Sequence, residues 1–168
     1  RICMSKDYIV KIVEHDFVKQ RWSEIELLII NAFSHSKFNG EYLLEELPIQ
    51  WTWEAVNKPV RKGLKHVVAV NIEEKILGAF FCIPTYRYEH EISCDLGWLF
   101  TSYDLSYRER IRICDAIVER THEELRNAGF KKVITDIGTE AGVKYLSKRH
   151  GYIHRPLEEN ANRWEKDL

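Results

Sequence analysis

Three arginines, Arg108, Arg110 and Arg112, stand at alternate positions near the head of a helical stretch. Guanidinium groups gathered in this way suit a phosphate or carboxylate, although the same spacing also describes a solvated helix face. Upstream, the carboxylates Glu91 and Asp95 bracket the start of an apolar run, with His90 beside them. These groups can hold a cation or take a proton. Their plainer readings are a loop charge for Glu91, a hydrogen-bonded strand residue for Asp95 and an exposed loop side chain for His90. Other chemistries lack their patterns. No GxSxG stands between a strand and a helix, no GxxxxGK[ST] is present, and neither HExxH nor CxxC occurs. His35, His122, His150 and His154 are scattered.

The elements that must hold these residues follow from period and punctuation. Asp7 to Val13 alternates as a strand, and Phe17 to Phe33 carries apolar residues at three- and four-residue steps, as one helix does. Asn39-Gly40 breaks that pattern, and Glu41 to Leu47 reads as a short helix stopped by Pro48. Ile49 to Leu64 is irregular; its Trp51 and Trp53 either fill a core edge or lie over a cleft. His66 to Ile72 and Lys75 to Pro84 form a hairpin through Glu73-Glu74, the polar loop Thr85 to Glu91 follows, and Ile92 to Thr101 is the next strand. Ser106 to Gly129 is a long helix with an S-x-x-E capping box at Ser106 and Glu109. Val133 to Ile137 is a short buried strand, and Glu140 to His150 is the last helix. Gly151-Tyr152 and Arg163 to Lys166 are terminal strands.

At 168 residues, 45% apolar and 30% charged, the chain reads as a single globular domain over 1–168. Arg1 to Cys3 read as a remnant ahead of a native start at Met4. A net charge of −1 argues against bulk electrostatic binding of nucleic acid. No apolar run reaches a membrane span. The widely spaced Cys3, Cys82, Cys94 and Cys114 read as small hydrophobes in a reducing compartment, the cytoplasm.

The order β-α-α-β-β-β-α-β-α-β-β resembles the GNAT family of acyl-CoA-dependent N-acyltransferases from Tyr8 to Lys166. The likeness is concentrated in LGWLFTSYDLSYRERIRICDAIVERTHEELRNAGFKKVITDI and in VKYLSKRHGY, whose Lys148, Gly151 and Tyr152 match the family's K-x-x-G-Y/F ending. It implies an α/β (α+β) fold with a mixed central sheet and acetyl-CoA as co-substrate. A splayed strand, here Leu99, Phe100 and Thr101, would offer backbone groups to the pantetheine arm, and the following helix start would take the pyrophosphate. The family's R/Q-x-x-G-x-G/A motif falls on Arg108-Glu109-Arg110-Ile111-Arg112-Ile113, with the arginine kept and both glycines replaced by isoleucine. Ile111 and Ile113 are expected to crowd the phosphates, and Ser106 with Glu109 to occupy the terminal amides.

The resemblance also implies catalytic groups. The base would be Glu91 or Asp95, with His90 as a substitute. The family's acid tyrosine would fall at Ser147, and the nearest tyrosine, Tyr145, lies about 200° away around the helix, where its plain reading is packing against the sheet. The implied activity is acetyl transfer to a primary amine of a small molecule or protein, with loops 49–64 and 85–91 shaping the acceptor site. The second reading is a GNAT-like structural or interaction module without transferase activity. The Ile92–Tyr152 segment also resembles divergent GNAT-like proteins of tailed phages, some virion-associated and one that modifies DNA bases. A nucleic-acid role would need a basic groove, which Lys58 to His66 and Arg108 to Arg112 alone offer.

Overall fold

The run 67–70 lies at the centre of the molecule and is apolar throughout because both of its faces are covered. In the computed structural model, which describes residues 7–37 and 46–168, Val68 and Val70 pack into one core and Val67 and Ala69 into another. The run belongs to β2 (Leu64–Asn71), which pairs antiparallel with β1 (Tyr8–Val13) on one side and β3 (Ile76–Pro84) on the other. Asn71 closes the β2–β3 hairpin, its Oδ1 accepting the amides of Glu73 and Lys75 at 3.0 and 2.9 Å. Opposite His66, β3 bulges. Cys82 there takes φ 58°, and its amide donates to His66 Nδ1 at 3.0 Å. With Nδ1 accepting, the ring carries its hydrogen on Nε2 and donates to His15 Nδ1 at 2.8 Å.

On one face of this sheet lie α1 (His15–Gln20), α2 (Trp22–Ser34) and α3 (Glu46–Asn57). The expected single helix Phe17–Phe33 is broken at Arg21, whose φ and ψ are −105° and 17°. Tertiary contacts explain the break. Arg21 grips Glu24 and the carbonyl of Glu74, while Glu24 Oε1 accepts the amide of Ile76 at 2.8 Å, so this corner ties the helices to the β2–β3 hairpin. The irregular stretch expected from Ile49 is instead α3. Pro48 sits in its first turn, where an amide hydrogen has no helical partner to lose. Its inward stripe runs through Ile49, Thr52 and Val56, and the polar residue within it hides the helical period. The short helix expected over 41–47 and the break at 39–40 lie largely outside the described residues.

The other face is covered by α4 (Tyr107–Asn127), which packs Ile113, Ile117 and Leu125 against β2 and β3. The capping box is formed: Glu109 N–H donates to Ser106 Oγ and Ser106 N–H to Glu109 Oε2. Gly78 lets β3, β5 and α4 come together, since a Cβ there would stand 2.8 Å from the carbonyl oxygen of Phe100 and 3.1 Å from the Ile117 side chain.

The expected strand Ile92–Thr101 is two pieces, β4 (Ser93–Asp95) and β5 (Leu99–Thr101). β5 joins the first sheet beside β3, giving the order β1-β2-β3-β5; β4 joins a second sheet, β4-β6-β8-β7. There β6 (Lys132–Asp136) runs parallel to β4, and β8 (Arg163–Asp167) antiparallel to β6 and to β7 (Ile153–His154). Helix α5 (Glu140–His150) is capped by Thr139 Oγ1 and ends at Gly151 with φ 71°. With the broken helix and the broken strand each counted once, the element order is the expected one, although the strand expected at Gly151-Tyr152 lies instead at β7, because Gly151 is taken up in ending α5. No helix among the described residues is long and apolar enough to cross a membrane.

Candidate functional site

Two sheets that share one interrupted strand must part where it is interrupted. Leu96 is the last residue bonded to the second sheet, its amide donating to the Ile134 carbonyl at 3.0 Å. Trp98 O accepts from Phe81 N–H at 3.2 Å and begins the pairing with β3. Only Gly97 lies between them. Beyond it, β5 has a free edge, and so does β6 past Ile134. Between these edges, α4 and α5 lies a cavity of about 1120 Å³.

Its lining includes Asp95, Leu99, Phe100, Thr101, Arg110 and Ile111. Arg108 and Arg112 are exposed and not part of the lining, and Ile113 is buried in the α4 core at 2% exposure. The 3.6-residue turn therefore divides the motif: Ile111 is the isoleucine that faces the cavity, and Ile113 serves packing. Arg110 reaches inward with its guanidinium 3.9 Å over the Tyr103 ring, while its buried Nε has no hydrogen-bond partner. That stacking offsets the cost of a cation near a helix N-terminus. The amides a phosphate would use are partly taken, because the Glu109 carboxylate sits on Ser106 N–H at 2.8 Å.

Asp95 pairs with β6 through its backbone, while its carboxylate is exposed within the cavity and, among the described residues, has no hydrogen-bond or ion-pair partner. Glu91 lies elsewhere. Its carboxylate pairs with Arg61 at 2.5 Å, and Arg61 is held between the Tyr88 and Phe130 rings. Glu91 and the loop 85–91 contribute nothing to the lining, and His90 is likewise exposed outside it. The segment expected to shape the acceptor site contributes Trp51 of α3.

Tyr145 lines the cavity and Ser147 does not. The Tyr145 hydroxyl donates to Asp115 Oδ1 at 2.8 Å and lies 2.9 Å from His150 Nε2, which is itself 2.9 Å from Asp115 Oδ1. Arg149 closes the cluster on Asp115. Burial, the Cys114 thiol and Asp115 push the Tyr145 phenol far above its ordinary value. Burial would raise Asp115, but hydrogen bonds from Arg149, Tyr145 and His150 outweigh it and hold that carboxyl below its usual range. Cys114, one turn from Arg110, also lines the cavity, and burial pushes its thiol up to about 12. Asp115 and His150 carry no local sequence signal, because the contact spans 35 positions. Among the described residues no group of His, Cys, Asp or Glu could hold a metal ion.

No protein-family model matches the sequence, and the search of curated proteins found no match. Solved structures do match. The N-acetyltransferase YhbS from Escherichia coli, solved in complex with CoA, superposes at a TM-score of 0.67 with 11% identity, over 99% of this chain and 84% of that one. An aminoglycoside 6'-acetyltransferase type Ii gives 0.64 with 15% identity over 95% and 96% of the two chains. The C-terminal condensation domain of Ebony, in complex with beta-alanyl-dopamine, gives 0.67 with 10% identity over 96% and 99%. The chain therefore has the GNAT fold.

Proposed function

We propose that the protein transfers an acyl group from an acyl-CoA thioester to a primary amine, with the reaction at the point where the two sheets part. The observation that carries this reading is the pair of open strand edges, β5 and β6, diverging from Gly97 around the cavity. The backbone groups of Leu99 and Thr101, which by strand alternation face away from β3, suit the amides of a pantetheine arm. Arg110, inward-facing and with its Nε unpartnered, is the cation for the donor's phosphates.

Asp95 holds the ammonium and takes one proton as the nitrogen attacks the thioester carbonyl. The C–N bond forms, the C–S bond breaks, and the second amine proton leaves to solvent. The departing thiolate takes its proton from the Tyr145 hydroxyl as it turns from Asp115, and His150 in its imidazolium form replaces that proton from Nε2 across 2.9 Å, ending as neutral imidazole. Because Tyr145 is held strongly protonated, it gives up that proton only with such a replacement. The GNAT-fold complex with CoA supports the donor class.

Calorimetric titration with acetyl-CoA tests this. The expected result is micromolar binding that Arg110→Ala loses, while Arg108→Ala and Arg112→Ala keep it. One observation favours a second reading, a GNAT-fold module without transferase activity: the protein's own Glu109 sits on the helix start that would cradle a pyrophosphate. Absence of acetyl-CoA binding at millimolar concentration would decide for that reading.

A further inference from the structure

We propose that the acceptor half of the cavity is a subsite for an aromatic primary amine, its ring against Trp51 and Trp98 and its ammonium on Asp95. This rests on the acyl-transfer reading above and adds the acceptor class. Cys94 and Leu96 point into the core under α4, so by strand alternation Asp95 points to the opposite face. Trp98 and Phe100 belong to that opposite face as well, packed with the α1–α3 core. Past Gly97, acid and aromatic wall thus share one side of the split, about 10 Å apart along the chain. Side chains and a short arylalkylamine span that distance.

The wall is continuous. The rings of Trp51 and Trp98 are 5.8 Å apart, and Trp98 stacks on Phe100 at 6.0 Å with an interplanar angle of 14°. Trp51 remains 47% exposed although it lines the cavity, which leaves a broad apolar face for a flat ring to cover.

Charge divides the cavity in the same sense. Arg110, Lys144, Lys148 and Arg149 come from α4 and α5, on the side assigned to the donor. Of the carboxylates, Asp136 already accepts the Asn160 amide at 2.7 Å, and Glu159 lies in the loop before β8. Asp95 is the unpartnered acid at the split. One such acid beside an aromatic wall fits a monoamine carrying a ring, whereas a polycation would need several acids and would meet Arg163, which also lines the cavity.

Quenching of tryptophan fluorescence in the CoA-free protein by phenethylamine, spermidine and phenylethanol tests this. Phenethylamine is expected to bind saturably, and spermidine and phenylethanol roughly tenfold or more weakly. Asp95→Asn, and Trp51→Leu read through the remaining tryptophans, should each weaken phenethylamine by roughly tenfold. Circular dichroism checks that both variants are folded. Spermidine binding as well as phenethylamine, no effect of Asp95→Asn, or no saturation with phenethylamine would overturn the subsite. Acetyl-CoA calorimetry on the same preparation separates the two ideas. Acetyl-CoA binding without phenethylamine binding removes only the subsite, and the converse removes the transferase reading.

Discussion

Arg110 and Glu109 are adjacent in sequence and opposed in effect at the mouth of the cavity. Arg110 brings a guanidinium inward over Tyr103, and Glu109 places a carboxylate on the first amide of the helix. Replacing Glu109 by alanine removes half of the capping box and should cost about 1 kcal/mol of stability in urea unfolding. The same change frees the Ser106 amide and removes a negative charge from the donor's phosphate position. Acetyl-CoA should then bind roughly threefold to fivefold more tightly by calorimetry. Unchanged or weaker binding would mean that the phosphates do not sit at this helix start.

The cavity depends on how closely α4 and β5 press onto β3, and Gly78 sets that distance. In Gly78→Ala the new methyl group would stand 2.8 Å from the Phe100 carbonyl oxygen. A backbone oxygen in a sheet cannot swing aside, so β5 must move away from β3. The expected cost is about 1–3 kcal/mol in urea unfolding, accompanied by weaker acetyl-CoA binding. A loss below about 0.5 kcal/mol would show that β5 can shift freely.

The two cores each bury a neutral histidine, and this gives the whole molecule a pH dependence. Burial and His15 lower His66 to about 3; burial, Lys166, His150 and Arg126 lower His122 to about 3. Above the ordinary histidine value both rings are neutral in the folded and unfolded chain, and their contribution to stability is fully present. As the pH falls from about 6.5 toward 3, the unfolded chain takes up protons that the folded one refuses. Stability should therefore fall by up to about 1.4 kcal/mol per pH unit for each ring. Urea unfolding across pH 7 to 5 checks this; the drop should be roughly halved in His122→Gln. A flat profile would mean that these rings are protonated in the fold without cost.

Much of this architecture was legible in the chain, because it rests on local rules. The capping box at Ser106 and Glu109, the apolar stripe of α4 and the stop of that helix at Gly129 each depend on residues a few positions apart. Asp95, Arg110 and Tyr145 could be singled out by type and position, and each lines the cavity. Only the tertiary structure decided which neighbours join them. Arg108 and Arg112 turn outward, Ile113 enters the core, and Glu91 is held by Arg61, an interaction 30 positions away. Trp51 meets Trp98, and Asp115 meets His150, through packing between elements that have no sequence relation to each other. The parting of the sheets at Gly97 is of the same kind: it depends on β3 and β6 competing for one strand, and β6 is separated from that strand by the whole of α4. Local pattern specifies elements because their hydrogen bonds are local, whereas a site made where elements diverge depends on contacts that exist only once they have packed.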